Sequence, residues 1–165
     1  MANYERRIIK TEFIEQYAHT ARVFEGIVKD FNNDAWLHTG RGTTTPVRIA
    51  FHILKGIKYY IEDPSIIVFA SGKSFESNWE TVKEEDLPSQ NDVLICINEM
   101  KVKTERWLSE MDFNADNRSF EWAGETKLGV VLFLLRHSLY HLGELSSLLN
   151  ESKNGAVVDN YVKAL

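Results

Sequence analysis

The stretch Leu132–Leu145, LFLLRHSLYHLGEL, decides how the chain is read. Its apolar residues recur three and four apart, the period of a helix with a buried face. Turning each residue by roughly 100° gathers Val130, Phe133, Leu134, His137, His141, Glu144, Leu145 and Leu148 on one arc, with three polar side chains in the middle of an apolar stripe. The helix is expected to start near Thr126 and end near Asn150. Leu132, Leu135, Leu139 and Leu142 take the opposite side. A helix apolar on both sides is either central or at a subunit interface, and the second case makes a homodimer the expected assembly.

Working outward, the same period recurs in three further segments. From about Glu5 to Phe31, Ile9, Phe13, Tyr17, Val23, Phe24, Ile27 and Phe31 share one arc, interrupted by Gln16 and Thr20 as though these two face something polar. A hydrogen bond to nearby backbone would explain that pair equally well. Thr45 followed by Pro46 reads as a cap and first turn, because proline lacks the amide that would go unpaired there. That helix is expected to reach Glu62, with Ile49, His52, Ile53, Gly56, Ile57 and Tyr60 inward. Ser89 and Asp92 have capping-box spacing and open a third segment, in which Val93, Cys96, Ile97, Met100, Thr104, Trp107, Leu108 and Met111 share a face. The fold class is therefore all-α, with four long helices and a long crossover, Asp63 to Pro88, between the second and third. A short helix is expected in the crossover after Pro64, and the tail from Glu151 is expected to pack through Val157, Val158 and Tyr161 or to fray. No repeat or composition break divides residues 1–165, so one domain is expected.

Composition excludes several classes. A chain of 165 residues, 44% hydrophobic, buries enough surface to need no staple, and a single cysteine, Cys96, forms no intrachain disulfide. A cytoplasmic protein is expected. A net charge of -5 without a basic patch argues against nucleic acid, and no apolar run reaches the roughly 18 residues of a membrane span.

The chemistry then rests on the histidines. Side chains four apart on a helix stack on one face, so His137 and His141 can converge on one ion at the roughly 2.0–2.1 Å of zinc–nitrogen bonds. A site needs at least one more ligand. His52, alone among the other histidines in occupying an apolar arc of another helix, is the candidate, and Gly56 removes bulk one turn later. A lone core histidine is more often hydrogen-bonded than ligating, but three imidazoles and a carboxylate in one core cost on the order of 1–3 kcal/mol each unless they satisfy one another or a cation. Glu144 either orients His141 through its distal nitrogen or serves as a fourth ligand. His19 reads as a boundary residue and His38 as part of the loop NNDAWLHTGRG. Trp36, Trp79, Trp107 and Trp122 read as core or loop anchors. HSLYH lacks the glutamate of the HExxH metalloproteases, neither GRG nor ASGKS has phosphate-loop spacing, and Cys96 on a core arc is a poor nucleophile.

Thr45–Ile61, TPVRIAFHILKGIKYYI, followed by HSLYHLGEL from His137, resembles the DinB-like superfamily over most of the chain. The most specific part is His52 with His137, His141 and Gly143. The resemblance implies an up-down-down-up four-helix bundle, commonly dimeric, holding a divalent ion by those three histidines. Bacillithiol S-transferases and the mycothiol-dependent maleylpyruvate isomerase are among the characterised relatives. It therefore implies a metal-dependent enzyme of the thiol S-transferase or hydrolase type, acting on a small-molecule substrate, with zinc or nickel and a low-molecular-weight thiol. A non-catalytic, metal-stabilised binding or stress-response module is the alternative, and the two differ in whether the ion keeps open positions. Two departures stand out: Glu144 replaces the glutamine common in the family's last motif, and the tryptophan often found before His52 is absent.

Overall fold

The computed structural model describes residues 2–42, 44–62, 67–75, 80–154, 156 and 159–164. In chain order these form α1 (Ala2–Asp30), α2 (Asn33–His38), α3 (Pro46–Glu62), β1 (Ile67–Val68), β2 (Ser74–Phe75), α4 (Gln90–Glu110), α5 (Lys127–Ser152) and α6 (Asn160–Lys163). The fold is mostly helical, and α1, α3, α4 and α5 are the long elements. No helix among the described residues is long and apolar enough to cross a membrane.

The helix starts follow from local chemistry. At α4 the Ser89 side chain accepts from the Asp92 amide while Asp92 takes the Ser89 amide at 3.0 Å, so the capping box is complete. Before α3, the Thr45 carbonyl accepts from Arg48 and Ile49, as a cap position should. Its hydroxyl, however, is buried with no hydrogen-bond partner, so the side-chain cap expected of Thr45 is not made. Pro46 alone sets that start. At α5 Thr126 also makes no side-chain cap; the open amides of Lys127 and Leu128 instead donate to the carbonyls of Ala115 and Phe113. The segment around His38 is a helix rather than a loop, because the Asn32 side chain accepts from the Ala35 amide at 2.8 Å and Trp36 is buried beneath it.

The long helices pack pairwise: α1 on α4 and α5, and α3 on α4 and α5. Side-chain contacts at both ends orient α1 against α4. Lys10 near the start of α1 reaches the Ser109 carbonyl near the end of α4, and Gln90 at the start of α4 donates to the carbonyls of Val28 and Phe31. Those two helices run antiparallel. Glu62 pairs with Lys103 where α3 meets α4, and Tyr17 on α1 donates to the Val131 carbonyl of α5 at 2.7 Å. Phe24, Ile27, Val47, Phe51, Leu54, Val93, Ile97, Leu145 and Leu149 fill the larger core; Leu108, Val131 and Leu134 anchor a smaller one.

Two expectations are corrected here. In the crossover, residues 63–66 lie outside the described residues, and from Ile67 onward a hairpin stands where a short helix was expected, with Ile67 opposite Phe75. Ile67 and Phe69 are buried and Val68 exposed, the two-residue period of a strand. On α5, the buried residues are Val130, Val131, Leu134, Ser138, Leu142, Leu145, Leu148 and Leu149, so Leu142 faces the core, His141 stays within the stripe between Leu134, Leu145 and Leu148, and His137 and Glu144 lie at its edge. Ser138 also belongs to the buried face, its small side chain 2% exposed between leucines. Leu132, Leu139 and Tyr140 do face outward, at 50%, 45% and 66% exposure.

The tail docks on α1 through residues from Asn160 onward; Val157 and Val158 lie outside the described residues. Asn160 is buried beside Gly26, Arg22 donates to the Ala164 carbonyl, and Lys163 pairs with Asp30. Tyr161 stays exposed with its ring edge-on to His19.

Candidate metal centre

Antiparallel packing of α3 against α5 brings one histidine of α3 against two of α5. The Nε2 atom of His52 lies 3.2 Å from Nε2 of His137 and 3.1 Å from Nε2 of His141. Together the three residues offer ligand atoms all within 4.8 Å of one another. Nitrogens bound at roughly 2.0–2.1 Å to a common ion are separated by roughly 2.9 Å at octahedral angles and roughly 3.4 Å at tetrahedral ones. The observed spacings fall between. These three histidines are close enough to hold one metal ion.

Tautomers and charge point the same way. Glu144 Oε2 lies 2.7 Å from Nδ1 of His141. A carboxylate oxygen accepts, so Nδ1 of His141 donates to Glu144 and Nε2 is the nitrogen turned toward the other two rings. Of the two roles open to Glu144, the geometry matches the orienting one, since its oxygen sits on the nitrogen facing away from the cluster. Burial, together with repulsion from His141 and His137, pushes the His52 pKa down to about 4. Burial and His141 lower that of His137. Both rings are neutral at pH 7, the form that donates a lone pair.

Packing fixes the rings. A Cβ on Gly56 would lie 3.0 Å from Cε1 of His137 and 3.3 Å from its Nδ1, so a side chain there would require that ring to give by a few tenths of an ångström. Phe133 stacks nearly parallel to His137 with centroids 6.2 Å apart, and Tyr140 meets His141 edge-on at 5.0 Å. Nδ1 of His137 is buried without a hydrogen-bond partner.

The remaining candidates lie elsewhere. Thr20 is buried and its hydroxyl donates to the Gln16 carbonyl at 2.8 Å, the backbone bond that explains it without a ligand. It lines a small internal cavity with Thr104 and Ser138, while Gln16 is exposed. His19 is half-buried on α1, and His38 is exposed, 3.9 Å from both Asp34 and Glu84. Cys96 is buried, and desolvation pushes its thiol up to about 12. Trp36 is a core residue, Trp107 is half-buried and Trp122 exposed; Trp79 lies outside the described residues. The sequence places Phe133 on the arc of His137, whereas it does not single out Ser138 or Tyr140, one residue before His141. Helical spacing is the signal for Phe133.

No family model matches the chain, and no curated protein or solved structure matches it either.

Proposed function

We propose that the chain is a divalent-metal-dependent enzyme of the thiol S-transferase or hydrolase type, on the up-down-down-up bundle of the DinB-like superfamily. The observation that carries this reading is the meeting of three Nε2 atoms from two helices at the spacing of nitrogens around one ion. The bundle course is supported by the pairing of α1 with α4 and of α3 with α5. His52, His137 and His141 hold the ion, and imidazole donors suit zinc or nickel. Glu144 holds the His141 ring and its tautomer, and Gly56 leaves room for His137. A divalent ion there supplies Lewis acidity, bringing deprotonation of a water or a low-molecular-weight thiol close to neutral pH.

Catalysis is favoured over a purely structural ion because, among the described residues, three ligands converge and Glu144 is occupied on the far side of His141. A closed shell would need a fourth protein donor. Homodimerisation is part of the proposal and is supported by the exposed Leu132, Leu139 and Tyr140 on α5. The reaction is tested by loading the protein with zinc or nickel and assaying thiol transfer to monobromobimane and hydrolysis of p-nitrophenyl acetate. Turnover should appear in the loaded wild type and fall by about 100-fold or more in His141→Ala. Equal rates in both proteins would remove the histidines from the chemistry.

A further inference from the structure

A row of aromatic rings leads away from the histidine cluster. Beyond Phe133, Tyr60 packs at 5.5 Å, Phe120 packs on Tyr60 at 4.7 Å, and Trp122 packs on Phe120 at 5.7 Å while donating its indole N–H to the Tyr60 hydroxyl at 2.9 Å. Trp122 is nevertheless 59% exposed, far more than packing alone would leave a tryptophan of the core. Where Tyr60 and Phe120 meet in this row opens a cleft of about 300 Å³, walled by those two rings with Trp107 and Met111 and rimmed by Asp116, Arg118 and Lys127.

The cleft is held in shape before any ligand arrives. Asn117 accepts from the Phe120 amide at 3.0 Å and donates to the carbonyls of Phe120 and Gly124, so the turn that presents Phe120 is pinned by one side chain. Preorganisation of this kind removes part of the ordering cost of binding. The charges on the rim do not cancel. Asp116 pairs with Arg118 at 3.1 Å, whereas among the described residues no carboxylate lies within ion-pair distance of Lys127. One positive charge is left over. The first amides of α5 are taken by the carbonyls of Ala115 and Phe113, so recognition of an anion falls to Lys127 and Arg118.

We infer that this cleft binds a planar aromatic carboxylate, its ring against Tyr60 and Phe120 and its carboxylate at Lys127. The ring contacts are offset and edge-type stacking, and the carboxylate supplies a charge-assisted bond. For the metal centre this names a substrate class: the anionic aromatic part is anchored remotely, and the remainder of the molecule lies along Phe133 toward His137. That last link rests on the proposed function; the binding itself does not.

The probes are 1-naphthoate and its neutral counterpart 1-naphthalenemethanol, titrated calorimetrically into metal-free full-length protein at pH 7. Naphthoate should bind one per chain with Kd on the order of 1 mM or tighter, and the alcohol about tenfold more weakly. Lys127→Ala, an exposed site, and Phe120→Leu, which keeps an apolar side chain, should each weaken naphthoate about fivefold or more. His52→Ala should leave it unchanged, which separates this cleft from the metal centre. Absence of saturable binding, equal affinity for the alcohol, insensitivity to both cleft variants, or loss in His52→Ala would each overturn the inference.

Discussion

At the scale of single residues, Gly56 separates two effects that usually travel together. Glycine inside a helix costs roughly 0.5–1 kcal/mol relative to alanine, so Gly56→Ala should keep or raise the helicity of α3. The added Cβ would stand 3.0 Å from the His137 ring and push it off the point where the three nitrogens meet. Zinc affinity, measured by chelator competition, should fall about 10- to 100-fold with circular dichroism unchanged. Unchanged affinity would show that the ring has slack. The histidines also set a pH dependence. His52 is pushed down to about 4 in the folded protein from an ordinary value of 6.5, and His137 is lowered as well. Between these limits the unfolded chain binds more protons than the folded one, so metal-free protein should lose stability as pH falls from about 6.5 toward about 4. Urea midpoints at pH 7.5, 6 and 5 should drop more in wild type than in His52→Asn; parallel pH profiles would contradict the assignment.

At the scale of elements, caps and crossover meet at Asp92. Burial opposes its ionisation, but hydrogen bonds from Ser89 and from Ser71 hold its carboxyl below the usual value. The same carboxylate thus closes the start of α4 and ties down the turn between β1 and β2. Ser89→Ala should destabilise the protein by about 1 kcal/mol in urea denaturation, while Asp92→Ala, which also frees the Ser71 amide, should cost more. Equal effects would mean that the crossover does not lean on Asp92. The cap was legible in sequence because it depends on two residues three apart. The hairpin was not, since strands of two residues exist only through their pairing and the burial of Ile67 and Phe69 against the helices. At α3 the position of Thr45 was legible and its hydrogen bond was not, because whether a hydroxyl reaches an amide depends on a rotamer that spacing does not specify.

At the scale of the whole molecule, the helical fold class could be read from the arcs of α1, α3, α4 and α5 because each is long enough for a 3.6-residue period to be unmistakable. What periodicity could not give was the full width of the α5 stripe. Ser138 and Leu142 belong to it, so the stripe is wider than expected, with His141 inside it and His137 at its edge. All three histidine rings are half-buried. The pairing of His52 with His137 and His141 was legible only because polar residues on two apolar arcs need each other; the aromatic row beside them, apolar on any count, gave no such signal. The proposed enzyme depends on those three rings holding one ion. The most direct measurement is metal content per chain, by mass spectrometry, for protein prepared without a histidine tag, reconstituted with zinc or nickel and desalted. Wild type should retain one ion per chain, and His52→Ala and His141→Ala should each retain less than about a tenth of that. A wild type that retains neither metal, or variants that still hold one ion per chain, would contradict the centre itself.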